Sequence, residues 1–185
     1  RAPKPIVALT TSRKAYNKLA LSWAVIPMLT DEYHSIDVLF YQAVGALKSS
    51  KLVEKGKSQF AGREIKGKTL GVIGLGAIGA LVANAAAALG MEVYGADPFL
   101  SVDGALHLST KINYVKSNKE IFEQCDYITL HAPATPETKG MINAESIATM
   151  KKNVRILNFA RADLVDSKAI IDALANGGTD YFTDT

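Results

Sequence analysis

Short apolar runs alternate along the chain with segments whose apolar residues recur every three or four positions. Apolar runs bounded by turn residues are typical of strands buried in a parallel sheet, and the longer spacing predicts helices with one buried face. In the N-terminal part, the pattern predicts strands over residues 5–9 and 25–29, each followed by a helix, the second over residues 36–51. Residues 1–55 therefore predict a β-α-β-α fragment.

Between residues 54 and 68 the pattern is interrupted, because three glycines and six charged residues come before Lys68 and favour a linker. The alternation then resumes over residues 56–185, which we interpret as a second region packed with the first. Strands are predicted over residues 69–74, 92–96, 112–114, 127–130, 154–159 and 181–183, and helices over 77–89, 119–125, 144–150 and 167–176. Repeated β-α units predict an α/β fold, a three-layer, doubly wound, mainly parallel sheet with helices on both faces.

Composition narrows the classes of function. The chain has 185 residues, of which 48% are apolar and 21% charged, as is usual for a globular domain. Its 21 basic and 18 acidic residues are scattered, so we expect no nucleic-acid partner. No apolar run approaches the ~20 residues that span a bilayer, and no signal-peptide core is present, so we expect no membrane partner.

The single cysteine, Cys125, excludes an intramolecular disulfide and a cysteine-based zinc site. We interpret it as a packed core residue rather than a nucleophile, because it comes directly before a predicted buried strand. The histidines and carboxylates show no spacing typical of metal ligands, so no metal is predicted.

The strongest chemical signal is a glycine-rich motif between a predicted strand and a predicted helix. It consists of Gly74, Leu75, Gly76, Ala77, Ile78 and Gly79. The first glycine of such a motif permits a tight turn, the second lets the backbone approach a pyrophosphate, and the third allows close packing of the helix. The amides that open the helix at Ala77 and Ile78 offer hydrogen-bond donors and a positive dipole end to a phosphate.

An acidic residue stands where a dinucleotide-binding unit needs one. Asp97 ends the next predicted strand, 18 residues after Gly79, and its carboxylate can accept hydrogen bonds from an adenosine ribose. A carboxylate repels a 2′-phosphate and no arginine follows it, so NAD is favoured over NADP as the cofactor. The alternative is a purely structural glycine turn followed by a solvated aspartate.

Residues 56–184 resemble the coenzyme domain of the D-isomer-specific 2-hydroxyacid dehydrogenases, most closely the phosphoglycerate dehydrogenase branch. The segments that carry the resemblance are residues 67–79, 97–98, 126–133, 135–143, 150–151 and 158–166. The resemblance implies a dinucleotide-binding (Rossmann) fold with strand order 3-2-1-4-5-6 and NAD as cofactor.

The resemblance also implies site residues. Arg161 matches the arginine that holds the substrate carboxylate in this family, and Asp184 matches the acidic residue that faces the nicotinamide amide. Pro133, Thr138 and Ala160 match positions that line the cofactor cleft.

Other positions depart from the family pattern. The family's catalytic glutamate and histidine follow the position matched by Asp184, and we expect both to be absent from this chain. The resemblance gives His131 a packing or loop-shaping role in preference to a catalytic one. Ala96 stands where a bulkier residue is common, and Ala162 replaces a common glycine.

The first 55 residues resemble a different family, the C-terminal α/β domain of pyruvate kinase. The likeness covers residues 1–28, 35–40 and 46–56. The join suggests an engineered chimera with its seam between residues 55 and 63; the alternative is a natural divergent protein. We expect the two added strands at an edge of the sheet, beyond the last strand, where they would cover an exposed edge.

Three functional hypotheses follow. The first is an NAD-binding module without turnover, the second a structural chimera without ligand affinity, and the third an active oxidoreductase on a small 2-hydroxy acid. Arg161 alone cannot exchange a proton with a substrate hydroxyl, so the third ranks last. The resemblance implies a monomer or a homodimer. The parent proteins are expected to be cytoplasmic, and the chain itself is recombinant if it is engineered.

Overall fold

The computed structural model of the protein describes residues 64–183. They form one six-stranded sheet in the order β3-β2-β1-β4-β5-β6, in which every neighbouring pair is parallel. The strands are β1 (Thr69–Ile73), β2 (Glu92–Ala96), β3 (Ile112–Tyr114), β4 (Tyr127–Leu130), β5 (Val154–Asn158) and β6 (Thr179–Thr183). The predicted doubly wound fold and its strand order are confirmed.

Helices connect the strands. They are α1 (Ala77–Ala88), α2 (Val102–Leu106), α3 (Asn118–Gln124), α4 (Ala144–Thr149) and α5 (Ser167–Ala175), with a short 3-10 helix over Ala162–Leu164. Side-chain caps begin several of them: Ser117 caps α3, and Asp166 accepts hydrogen bonds from two backbone amides at the start of α5. At α4, Asn143 and Ser146 bond reciprocally, so both ends of the capping box are present.

Two hydrophobic clusters, one on each face of the sheet, form the core. The first packs α1 against β1 and β2 and includes Ile65, Leu70, Val72, Val82, Ala83, Ala86, Val93 and Leu157. The second packs α3 and α5 on the other face and includes Ile121, Phe122, Cys125, Ile128, Leu130, Ile156, Leu164 and Ile170. The small residues of α1 let it lie close to the sheet, because its buried positions are glycine, valine and alanine.

The structure differs from the predictions at several points. Ile65 belongs to the predicted linker, yet it is buried in the first cluster. Neither α2 nor the 3-10 helix was predicted, since both are too short to show a period. The predicted β-α-β-α fragment, its place at the sheet edge, the linker seam and Asp184 lie outside the described residues. Within residues 64–183, no helix is long and apolar enough to cross a bilayer.

Candidate dinucleotide-binding cleft

A crevice opens at the carboxyl ends of β1 and β4, where the strand order reverses. From β1 the chain crosses over to β2 on one side, and the later strands lie on the other side, beginning with β4. Ligands of doubly wound sheets bind at this switch point. The glycine-rich loop follows β1 directly, so the fold places the motif at the crevice.

Gly74 makes the turn out of β1. Its φ is +93°, a conformation that residues with a side chain rarely adopt, and its amide donates to the carbonyl of Ala96 over 2.8 Å. A Cβ at Gly74 would lie 2.7 Å from the carbonyl carbon and oxygen of His131. The turn is therefore closed by backbone contact with the residue that follows β4.

Gly76 and Gly79 have different surroundings. A Cβ at Gly76 would meet nothing within 4 Å, and this residue is exposed at the start of α1. A Cβ at Gly79 would lie 1.8 Å from the carbonyl oxygen of Gly74 and 3.3 Å from the Cβ of His131. Gly79 thus brings α1 against the loop and the end of β4, whereas Gly76 leaves open space beside the helix N-terminus.

Asp97 stands at the carboxyl end of β2, next to the loop. One carboxylate oxygen accepts a hydrogen bond from the Leu75 amide and the other from the Phe99 amide, both over 2.9 Å. The acidic side chain is therefore held in one orientation, with further lone pairs available to a ligand. No sequence pattern indicated that the glycine-rich loop itself orients this carboxylate.

A cavity of about 630 Å³ adjoins Asp97 and the start of α1. Its wall combines apolar and polar side chains with the backbone of the loop, a composition usual for small-molecule sites. The lining includes Leu75, Gly76, Ala80, Asn84, Phe99 and His107. The cavity is large enough for a nucleoside and lies beside Asp97, the residue predicted to bind the adenosine ribose.

The loop after β4 leaves the sheet beside the glycine-rich loop, because β4 pairs with β1. It borders the other side of the crevice and does not line the cavity beside Asp97, and we call it the opposite wall. Thr138 donates its hydroxyl hydrogen to the carbonyl of Pro133 over 2.6 Å and accepts a bond from the Thr135 amide over 2.8 Å. A parallel bridge between Ile142 and Val165 ties this loop to the segment after β5. Pro133 and Thr138, both predicted from the resemblance, thus lie in one braced loop at the crevice.

Arg161 and Ala160 follow β5 at the same edge of the sheet. The buried Asn158 side chain accepts hydrogen bonds from the amides of both residues, over 3.2 and 3.3 Å, and donates to the Arg161 carbonyl over 2.9 Å. Its amide nitrogen also reaches the Tyr181 hydroxyl over 3.2 Å. The Arg161 side chain is exposed and donates to its neighbour's carbonyl. No sequence pattern indicated that Asn158 positions these two residues.

His131 lies beneath the glycine-rich loop. Its ring nitrogen Nε2 is 3.0 Å from the hydroxyl of the fully buried Thr129. Burial lowers the pKa of His131 to about 4, so the ring is neutral at pH 7. This arrangement fits the predicted loop-shaping role of His131.

Two further candidates are Cys125, which lies in the core, and His107, which lines the cavity beside Asp97. Cys125 is fully buried, and burial raises the pKa of its thiol to about 12, as expected for a packed residue. Among residues 64–183, no group of three or more histidine, cysteine or acidic side chains is arranged to hold a metal ion. His107 is exposed at the end of α2, 3.8 Å from the Asp103 carboxylate.

Comparison with known proteins agrees with this geometry. The family model for the NAD-binding domain of D-isomer-specific 2-hydroxyacid dehydrogenases matches residues 39–184, and the model for the pyruvate kinase α/β domain matches residues 1–68. D-3-phosphoglycerate dehydrogenase of Bacillus subtilis is 43% identical over 129 residues, which are 70% of this chain and 24% of the relative. That of Methanocaldococcus jannaschii is 43% identical over 136 residues, 74% of this chain and 25% of the relative.

Solved structures show the same likeness. D-lactate dehydrogenase of Salmonella has a TM-score of 0.72 and 31% identity, covering 92% of this chain and 49% of that one. The NAD-bound 3-phosphoglycerate dehydrogenase of Entamoeba histolytica has a TM-score of 0.58 and 37% identity, covering 67% and 38%. The chain thus spans about a quarter of the length of its curated relatives and half or less of these structures.

The fold and the cleft define a dinucleotide-binding domain of the doubly wound α/β class. The chain belongs to the family of NAD-binding domains of D-isomer-specific 2-hydroxyacid dehydrogenases. The predicted cofactor, NAD, is confirmed at the level of this family. The described residues fit that cofactor, because open space at Gly76 adjoins the free helix N-terminus and the Asp97 carboxylate is oriented beside a nucleoside-sized cavity.

Proposed function

We propose that this chain is an engineered chimera that binds NAD as a cofactor module and does not itself turn over a 2-hydroxy acid. The observation that carries the binding is the pairing of the Asp97 carboxylate with the glycine-rich loop through the Leu75 amide. This contact holds the pyrophosphate and ribose subsites at a set distance from each other. The ribose subsite is supplied by Asp97. The pyrophosphate subsite is supplied by Gly74, Gly76, Ala77, Ile78 and Gly79.

The other proposed contacts come from the opposite wall. Pro133 and Thr138 lie in the loop braced by the Thr138 hydroxyl, and Ala160 follows β5. NAD supplies hydride exchange at its nicotinamide when bound, and these residues would orient it and exclude water. Asp184 is proposed to face the nicotinamide amide, as the family resemblance implies.

The lack of turnover is supported by the state of the described histidines. His131 is neutral and lies within hydrogen-bonding distance of the Thr129 hydroxyl, and His107 follows α2 and lines the cavity beside Asp97. Neither one is placed to exchange a proton with a substrate hydroxyl beside Arg161. Arg161 remains as the proposed site for a substrate carboxylate.

The chimeric origin is supported by the two family matches. They belong to families of different chemistry and meet within one chain, overlapping over residues 39–68. The proposed seam between residues 55 and 63 falls within this overlap. A natural gene that encodes both segments in one reading frame would overturn the engineered origin.

Calorimetric titration with NAD and NADH tests the binding proposal. We expect a micromolar dissociation constant that rises at least tenfold in Asp97→Asn, which keeps one acceptor for the backbone amides but removes the charge that ribose hydroxyls bond. Thermal unfolding of the same variant controls for misfolding. A folded protein with no measurable NAD affinity would favour the structural chimera instead.

A spectrophotometric assay tests the absence of turnover. NADH oxidation is followed in the presence of pyruvate, glyoxylate or 3-phosphohydroxypyruvate. The protein concentration is set near the dissociation constant for NADH. We expect no rate above background. A rate that disappears in Arg161→Ala would overturn the proposal and favour an active oxidoreductase.

A further inference from the structure

Asp97 is held at its main chain as well as at its carboxylate. Its carbonyl oxygen accepts a hydrogen bond from the Tyr114 hydroxyl over 3.0 Å and a second from the Leu100 amide over 3.3 Å. Together with the Leu75 and Phe99 amides, four donors therefore converge on one residue. Only one of the four is a side chain, and it comes from a different strand.

Tyr114 reaches Asp97 because of the strand register. It is the last residue of β3, the edge strand, and pairs with Gly95, two residues before Asp97. Two residues of strand span about 6.6 Å, close to the length of a tyrosine side chain. The ring extends along the sheet edge and its hydroxyl meets the turn that follows β2.

The Tyr114 side chain lies outside the core. Tyr114 is 49% exposed and contributes to neither hydrophobic cluster. Its hydroxyl donates to the residue that would bind the ribose. Phe99, which follows Asp97 in the same turn and lines the cavity, is 91% exposed.

We infer that Tyr114 is a positioning residue that sets the preference of this site for NAD over NADP. A 2′-phosphate can enter only if the Asp97 carboxylate turns away, since two negative groups would otherwise meet at short range. The Tyr114 hydroxyl opposes that movement by holding the backbone from which the carboxylate projects. This inference rests on the proposed NAD-binding function and adds to it the element that makes the carboxylate rigid.

The test compares Tyr114→Phe with Tyr94→Phe in the full chain. Tyr94 is the matched control, because it lies on the neighbouring strand β2 and its hydroxyl bonds the Glu92 carboxylate over 2.6 Å, at the amino end of that strand and away from Asp97. NAD and NADP are titrated into each variant and the unchanged chain. We expect Tyr114→Phe to raise the NAD dissociation constant three- to tenfold and to narrow the NAD-to-NADP discrimination by a similar factor. Tyr94→Phe should leave both within twofold.

A purely structural role predicts a different result, in which affinity for both dinucleotides falls in parallel and the ratio is kept. That result would overturn the inference, as would an unchanged NAD affinity in Tyr114→Phe.

Amide hydrogen exchange supplies a readout that needs no ligand. The Leu75 and Phe99 amides should exchange at least threefold faster in Tyr114→Phe, because the carboxylate that accepts their bonds becomes mobile. Unchanged protection at both amides would overturn the inference even where NAD binding is absent. Absence of NAD binding by the unchanged chain counts against the proposed function alone, so the two failures are distinguishable.

Discussion

The two glycines at the start of α1 should respond differently to the same added methyl group. In Gly79→Ala, the Cβ would lie 1.8 Å from the Gly74 carbonyl oxygen, about 1.6 Å closer than an ordinary contact. Neither atom sits on a flexible side chain, so the start of α1 or the loop must move. Overpacking of this kind costs about 1–3 kcal/mol, and a backbone clash belongs at the upper end.

Part of that cost is offset. Alanine is favoured over glycine inside a helix by about 1 kcal/mol, so the net loss of stability in Gly79→Ala should be about 2 kcal/mol. For a chain of this size, such a loss lowers Tm by roughly 4–8 °C. Urea unfolding monitored by circular dichroism and a thermal scan measure both quantities.

Gly76→Ala is the matched control. Its φ is −68° and an added Cβ meets nothing within 4 Å, so stability should change by less than about 1 kcal/mol. The methyl group would occupy the space that a pyrophosphate approaches, so the NAD dissociation constant should rise at least tenfold. Full stability in Gly79→Ala, or a loss above 2 kcal/mol in Gly76→Ala, would refute the assignment of one glycine to packing and the other to binding.

Three further predictions concern buried groups. His131 should titrate with a midpoint near pH 4 by NMR. Because this folded pKa lies below the unfolded value of 6.5, the free energy of unfolding should fall by up to about 3 kcal/mol as the pH drops from 6.5 to 4. His131→Gln should flatten that part of the curve of stability against pH. A midpoint near 6.5 would show that the ring is solvated. Cys125 should resist a thiol reagent at pH 8 in the folded protein and react fully in urea, whereas rapid reaction of the native protein would contradict its burial. Asn158→Ala should lower the free energy of unfolding by roughly 2–3 kcal/mol in chemical denaturation, since it removes a buried side chain with four hydrogen-bond contacts. Hydrogen exchange of the Arg161 amide should also become faster. Unchanged exchange at that amide would argue against the positioning role of Asn158.

Much of the fold could be predicted because the relevant forces act locally. The strand–turn–helix at residues 69–89 is encoded by an apolar run, a glycine that tolerates positive φ and an alanine-rich helix, all adjacent in the chain. The strand order followed from the resemblance. The elements that escaped prediction, α2 and the 3-10 helix, are too short for periodicity, and Ile65 was hidden in a charged segment.

The same distinction between local and long-range information applies to the candidate site. Sequence alone determined the glycine-rich motif, the acidic residue after the second strand and the residues matched in the two walls, because residue type and spacing along the chain carry that information. The sequence also distinguished the two family resemblances, one over the first 55 residues and the other over residues 56–184. These are properties of neighbouring residues or of short segments.

Only the tertiary structure decided which groups hold those residues in place. Tyr114 is 17 residues from Asp97 in the chain, and Tyr181 is 23 residues from Asn158. His131 meets Gly74 and Gly79 only because β4 lies beside β1. Such contacts depend on strand register and on the distance between packed elements, and no local pattern in a single sequence records either quantity.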